Sequence, residues 1–188
     1  MIGNLIPGLI SLGVAPSTNS YESIATVTVG SGGSSTITFS SIPATYTHLQ
    51  IRCIARSDYA NSGYGTMRFN SDSGSNYNAH YLSGNGSSAS ASAMGQYTGM
   101  DFLALSQSAS NIFGAGVIDI LDYANTNKYK TVRSLCGGDD NSTNGRIALN
   151  SGLWMSTSAI TSITILSGGG SNTFQQYSQF ALYGIKGS

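Results

Sequence analysis

The chain has 188 residues, of which only 9% are charged, and eight Lys or Arg balance eight Asp or Glu to give a formal net charge of zero. That length supports one good core and is short for two. The absence of a basic stripe argues against a nucleic-acid partner, and a 40% hydrophobic share argues against disorder.

Residues 1–16 are apolar, with Ile2, Leu5, Ile6, Leu9, Ile10 and Leu12 spaced among Gly and Pro. They lack the positive n-region of a signal peptide. Pro7 and Pro16 interrupt a stretch too short to span a bilayer, so no membrane partner is expected. An apolar segment ahead of a polar domain needs a surface to cover it. It either folds back on its own domain or docks on a neighbouring subunit, and the second is the expectation. Residues 1–20 are therefore read as an anchoring arm and residues 21–188 as the folded domain, with Ile2, Leu5, Ile6, Leu9, Ile10 and Leu12 as its assembly contacts.

From Tyr21 onward, short alternating runs are separated by Ser/Gly/Asn-rich turns. Residues 22–29 and 34–40 predict a hairpin across Gly30 to Gly33, since Val27, Val29, Ile37 and Phe39 alternate with threonines. In residues 48–56, Leu49, Ile51, Cys53 and Ala55 share one face. His48, Gln50, Arg52 and Arg56 share the other, joined by Ile54. Residues 66–70 and 77–82 predict two more strands, and the Ser/Ala/Gly stretch 83–93 predicts a flexible loop. Strands are expected at 96–105, 112–121, 128–135, 146–149, 160–166 and 179–185, the second of these central in its sheet. Residues 151–159 alone have room for a helical turn. About eleven short strands with no covering helix predict an all-β, antiparallel two-sheet sandwich. A jelly roll is the first choice of topology and an immunoglobulin-like order the alternative. Val27, Val29, Phe39, Leu49, Ile51, Ile118, Ile120, Ile163, Ile165 and Leu182 are expected to face inward.

Few residues offer chemistry. Cys53 and Cys136 lie in strand-like runs, not in a zinc-ligand cluster, and read as buried free thiols. His48 falls on a polar face and reads as solvated. His80 lies among aromatics with no orienting partner for a base, so it reads as structural or surface. Asp119 lies near a strand end, Asp122 opens a turn, Asp139 and Asp140 sit in a turn, and Glu22 is the chain's single glutamate; nothing sets two carboxyls across a cleft. The oxygen-rich loops 72–76 and 139–144 fall short of a calcium ligand set and read as solvated turns. No catalytic residue, metal or cofactor is expected. Tyr59, Tyr64, Tyr77, Tyr81 and Tyr97 lie in or beside glycine-rich loops, where tyrosine serves either adaptable recognition or ordinary packing. Trp154, flanked by Leu153 and Met155, reads as core.

Several runs resemble a group of small virion structural proteins of tailed bacteriophages. They are Tyr21 to Arg52, Arg68 to Tyr77, Asp119 to Arg133, Ser151 to Met155 with Ile160 to Ile163, and Phe180 to Lys186. The resemblance covers most of the chain after Ser20 and carries no catalytic residues. It implies a non-enzymatic particle component on the outer surface of the virion, made in the host cytoplasm, with other virion proteins as partners. The leading expectation is a capsid decoration or cement protein whose arm docks on the shell, as a homotrimer or another small cyclic oligomer. The alternative is a tail-fibre or receptor-binding module whose tyrosines touch host glycan. A free carbohydrate-binding domain is the third reading.

Overall fold

In the computed structural model, residues 20–60, 62–140 and 145–187 are described, without the Leu103 side chain. Period-two alternation becomes strands almost throughout. In chain order these are β1 (Tyr21–Thr28), β2 (Thr36–Phe39), β3 (His48–Ala55), β4 (Ser62–Phe69), β5 (Tyr77–Gly84) and β6 (Ala89–Tyr97). They continue as β7 (Met100–Gln107), β8 (Gly114–Leu121), β9 (Lys130–Gly138), β10 (Arg146–Trp154), β11 (Ile163–Ser167) and β12 (Gln179–Ile185). The one helical piece among the described residues is a 3-10 turn at Gly168–Gly170.

The strands form two antiparallel sheets packed face to face. The broad sheet has eight strands in the order β1-β12-β3-β8-β9-β10-β5-β6, and the narrow sheet has four in the order β2-β11-β4-β7. Four outgoing strands pair with four returning ones: β1 with β12, β2 with β11, β3 with β8 and β4 with β7. Successive pairs alternate between the sheets. The β5–β6 hairpin and the β9–β10 pair are inserted into this frame and widen the broad sheet.

The core lies between the sheets. Nine of the ten residues expected to face inward are buried there, and Val27 is half-buried against them. β7 packs across β8, β9, β10 and β5. Glycine makes room for it: a Cβ at Gly152 would lie 1.9 Å from the Met100 sulfur, and one at Gly116 would crowd the Cys136 and Cys53 sulfurs at 2.9 and 3.0 Å and Leu105 at 3.2 Å. Methionine and leucine from the narrow sheet thus fill sockets that any larger residue would close.

Four expectations are corrected. Residues 22–29 and 34–40 do not pair as a hairpin, since β1 and β2 belong to different sheets. A tight turn does form, with Gly33 N–H donating to Gly30 O at 3.0 Å. It carries the chain across the sandwich, so that Val29 and Phe39 enter one core from opposite sheets. The segment 83–93 is not a loop: β5 runs to Gly84 and β6 follows. Nearly every residue of β6 is exposed, so pairing with β5, not burial, makes it a strand. Gln96 belongs to β6, and β7 begins at Met100. Residues 151–159 form no helical turn, because β10 continues to Trp154 with Gly152 and Trp154 pointing inward.

Candidate functional site

The residues with chemical potential are engaged in the fold. His48 Nδ1 accepts the Asp122 N–H at 2.9 Å, and Asp122 also pairs with Lys128. The Lys128 hydrogen bond holds the Asp122 carboxyl below its usual range. His48 is half-buried and shapes the turn after β8, so it is more than a solvated side chain. His80 is exposed on β5. Gln50 donates to Asp119 at 2.8 Å. Glu22 accepts from Tyr46 at 3.0 Å and pairs with Lys186 at 2.7 Å, which ties β1 to the end of β12. Cys53 and Cys136 are buried free thiols, both raised by burial, Cys136 to about 11. Among the described residues no group of three His, Cys, Asp or Glu side chains comes together.

The loop at 72–76 is a bonded turn. The Asp72 carboxylate accepts the Trp154 indole N–H at 2.7 Å, the Gly74 N–H at 2.8 Å and the Asn76 amide at 3.0 Å. Burial pushes this carboxyl up, but those three donors outweigh it and leave it below its usual range. In the other loop, residues 141–144 lie outside the described residues.

The five tyrosines do not form one surface. Tyr77 is fully buried in an aromatic cluster with Phe69 and Trp154. Its hydroxyl accepts the Phe69 N–H at 3.0 Å and donates to the Asp72 carbonyl at 3.1 Å. As a recognition residue it is therefore corrected: period two turns it inward. Tyr59 and Tyr64 are half-buried and meet edge to face at 5.2 Å. Tyr81 is half-buried and Tyr97 is exposed, both on the β5–β6 hairpin. The arm contacts Ile2, Leu5, Ile6, Leu9, Ile10 and Leu12 lie outside the described residues.

The largest unexplained feature is one that sequence reading missed. On β9, β10 and β5 the usual sorting is inverted. Ser134, Asn150 and Ser83 point into the sandwich, and Leu135, Leu149 and Leu82 point out. Asn150 donates to Ser134 at 2.9 Å, which satisfies a polar pair inside. Outside, register aligns the large side chains into rows. One row runs Arg52, Val117, Leu135, Leu149, Leu82, Ala91 across β3, β8, β9, β10, β5 and β6. The next runs Ile54, Ala115, Gly137, Ile147, Gly84, Ala89. Ile54 is 47% exposed, Leu82 55%, Leu135 53%, Ile147 58% and Leu149 48%. Two shallow apolar depressions, of about 410 and 300 Å³, flank a ridge made by Leu135 and Ile147.

Toward the Tyr21 end the same face turns polar. The following row is Tyr183, Gln50, Asp119, Arg133, Ser151, His80. Tyr21 stacks on Tyr183 at 4.7 Å and donates to Gln50 at 2.8 Å. An apolar centre with Arg52 and Arg133 at its edge has the anatomy of a contact surface. Five half-exposed large aliphatics amount to roughly 500 Å², the size of the largest apolar patch on an ordinary monomer, which often serves binding. The chain matches no protein-family model and no curated protein.

Proposed function

We propose that this chain is a non-enzymatic structural protein of a bacteriophage particle, a decoration or cement subunit on the outside of the shell. The observation that supports an assembly role is the inverted outer face of β9, β10 and β5. A fold in need only of stability buries its large aliphatics and exposes serine and asparagine; here the reverse sorting leaves leucines outside. The phage setting comes from the resemblance of the motif runs given above. The alternating pairs of outgoing and returning strands are read as jelly-roll winding, which is compatible with that setting but also serves many other roles. Assembly through apolar contact suits a chain of zero net charge. Its partners would be other virion proteins and copies of itself, with the apolar face and the N-terminal arm as contact elements, and no cofactor enters this role.

The second reading is a tail-fibre or receptor-binding module, favoured by the half-buried Tyr59–Tyr64 pair. Quantitative mass spectrometry of purified particles from the source that encodes this chain distinguishes the two. Hundreds of copies per particle are expected for a shell subunit. A few tens or fewer would move the protein to the tail, and its absence from particles would overturn both readings.

A further inference from the structure

From β3 to β6 the outer face of the broad sheet sorts its side chains by size as well as by polarity. In the row Ile54, Ala115, Gly137, Ile147, Gly84, Ala89 the two isoleucines stand three strands apart, and glycine and alanine hold the other places. We infer that two copies of the chain stack through these faces, about a two-fold axis that runs along the strands between β9 and β10. The inference takes the apolar contact face from the reading above but not its virion setting, which the particle copy number tests separately.

Such an axis reverses the strand order of one face over the other, so β3 meets β6, β8 meets β5 and β9 meets β10. Ile147 then faces Gly137 of the second copy, and Ile54 faces Ala89, so each isoleucine meets a small residue. In the next row Leu135 faces Leu149, Val117 faces Leu82, and Arg52 faces the small Ala91. In the polar row Asp119 faces His80 and Arg133 faces Ser151. No two like charges face each other in these three rows.

Other axes fit less well. An axis centred on β9 sets Arg133 against Arg133, and one centred on β10 sets Ile147 against Ile147. An axis across the strands lays an apolar row over the polar one, or, set between the two apolar rows, leaves the polar row outside the contact. Twisted sheets stack with strands about 30° apart, which shifts positions one and a half strands from the axis by about 4 Å. The length of a histidine or leucine side chain absorbs that shift.

Area agrees. Six strands at about 4.8 Å spacing and eight residues at about 3.4 Å give a face of roughly 780 Å², close to the ~800 Å² per partner of a standard interface. The contact is made by side chains and leaves the outer edge of β6 open to a further strand.

The test uses the full chain with a photoreactive benzoylphenylalanine in place of the exposed His80. It is mixed with an equal amount of isotopically heavy parent chain, irradiated at tens of micromolar and mapped by mass spectrometry. Within one chain position 80 lies three strands from β8, about 14 Å away and beyond the reach of the probe. Links from position 80 of a light chain to β8 of a heavy chain, in a species of dimer mass, are expected. Links to other segments of the heavy chain would mean a different arrangement of copies, and links confined to monomers, or none, would mean that no second copy covers the face. Each of these results overturns the inference. Two variants supply an independent measurement. Ile147→Arg, at an outward position 58% exposed, is expected to lower the yield of the β8 link at least about tenfold, the loss that a buried unpaired charge brings. Thr38→Arg, exposed on the outer face of the narrow sheet, should leave the yield within about twofold, as expected of a surface change away from the contact. Equal yields from the two variants would also overturn the inference.

Discussion

Asp72 shows how a single side chain joins distant parts of the chain. Its carboxylate accepts the Trp154 indole N–H and the Gly74 and Asn76 donors, while its own carbonyl accepts the Tyr77 hydroxyl. One turn therefore closes the aromatic end of the core. Hydrogen bonds to a charged acceptor are worth about 1.5–3 kcal/mol each when the partner is left buried. Asp72→Ala is expected to lower unfolding stability by about 2 kcal/mol, read as a shift of the urea midpoint at unchanged slope. A midpoint within experimental error of the parent would show that the turn holds without its carboxylate. The pH dependence follows from the same contacts. The Asp72 carboxyl is held below the ordinary aspartate value of 3.8. Its contribution is thus complete above about pH 4 and fades as pH falls through the lower folded value. Tyr77 behaves in the opposite direction. Burial raises its phenol from 10.0 to about 12, so its contribution is complete below pH 10 and is lost as pH rises toward 12. Tyr77→Phe should flatten the alkaline limb of a stability–pH profile; an unchanged limb would assign it to other groups.

At the scale of elements, sequence periodicity located most strands and failed where tertiary pairing decides. In β3 the pattern shows Leu49, Ile51, Cys53 and Ala55 inside with Ile54 outside, as found. In β6 it shows little, because the Ala/Ser alternation of residues 89–93 has small hydrophobic contrast and the strand, exposed along nearly all its length, owes its form to the β5 ladder. The expected β1–β2 hairpin fails for a related reason: local alternation shows that both segments are strands but not that each has its partner about 125 to 165 residues away. In β10 the pattern misleads outright. Ile147 and Leu149 are its large aliphatics, yet Ala148, Asn150 and Gly152 face inward, and at Gly152 the Met100 side chain of β7 fills the space a larger residue would need. Gly152→Ala should therefore destabilise the sandwich by about 1–3 kcal/mol through overpacking. Gly95→Ala, whose new methyl would make only ordinary contact with Asn78, should stay within about 0.5 kcal/mol. Equal melting temperatures for these two variants would remove the socket argument.

At the scale of the whole molecule, the candidate site was the least legible part. The sequence shows that Leu82, Leu135, Ile147 and Leu149 are apolar, but a contiguous face arises only when register aligns β5 with the distant β9–β10 pair. The five tyrosines share a setting in or beside glycine-rich segments in the sequence, and folding disperses them between core, strand faces and surface. How copies meet follows from what the fold leaves open. Beside the apolar face, β6 is an edge strand of the broad sheet, with no further strand paired to it among the described residues, a ready template for another strand. Closed cyclic symmetry is the default for homo-oligomers, and zero net charge gives little electrostatic steering. Self-association is therefore expected to yield a small cyclic oligomer through β6, with an affinity that changes less than about threefold between 50 and 500 mM salt. Sedimentation velocity of the full chain at both salt concentrations measures this, and Ala91→Lys with Ala93→Lys, both exposed on β6, should abolish the oligomer at either salt. An oligomer that dissolves in moderate salt would show that charged residues such as Arg52 and Arg133 carry the contact, and one indifferent to the lysines would move it away from the β6 edge.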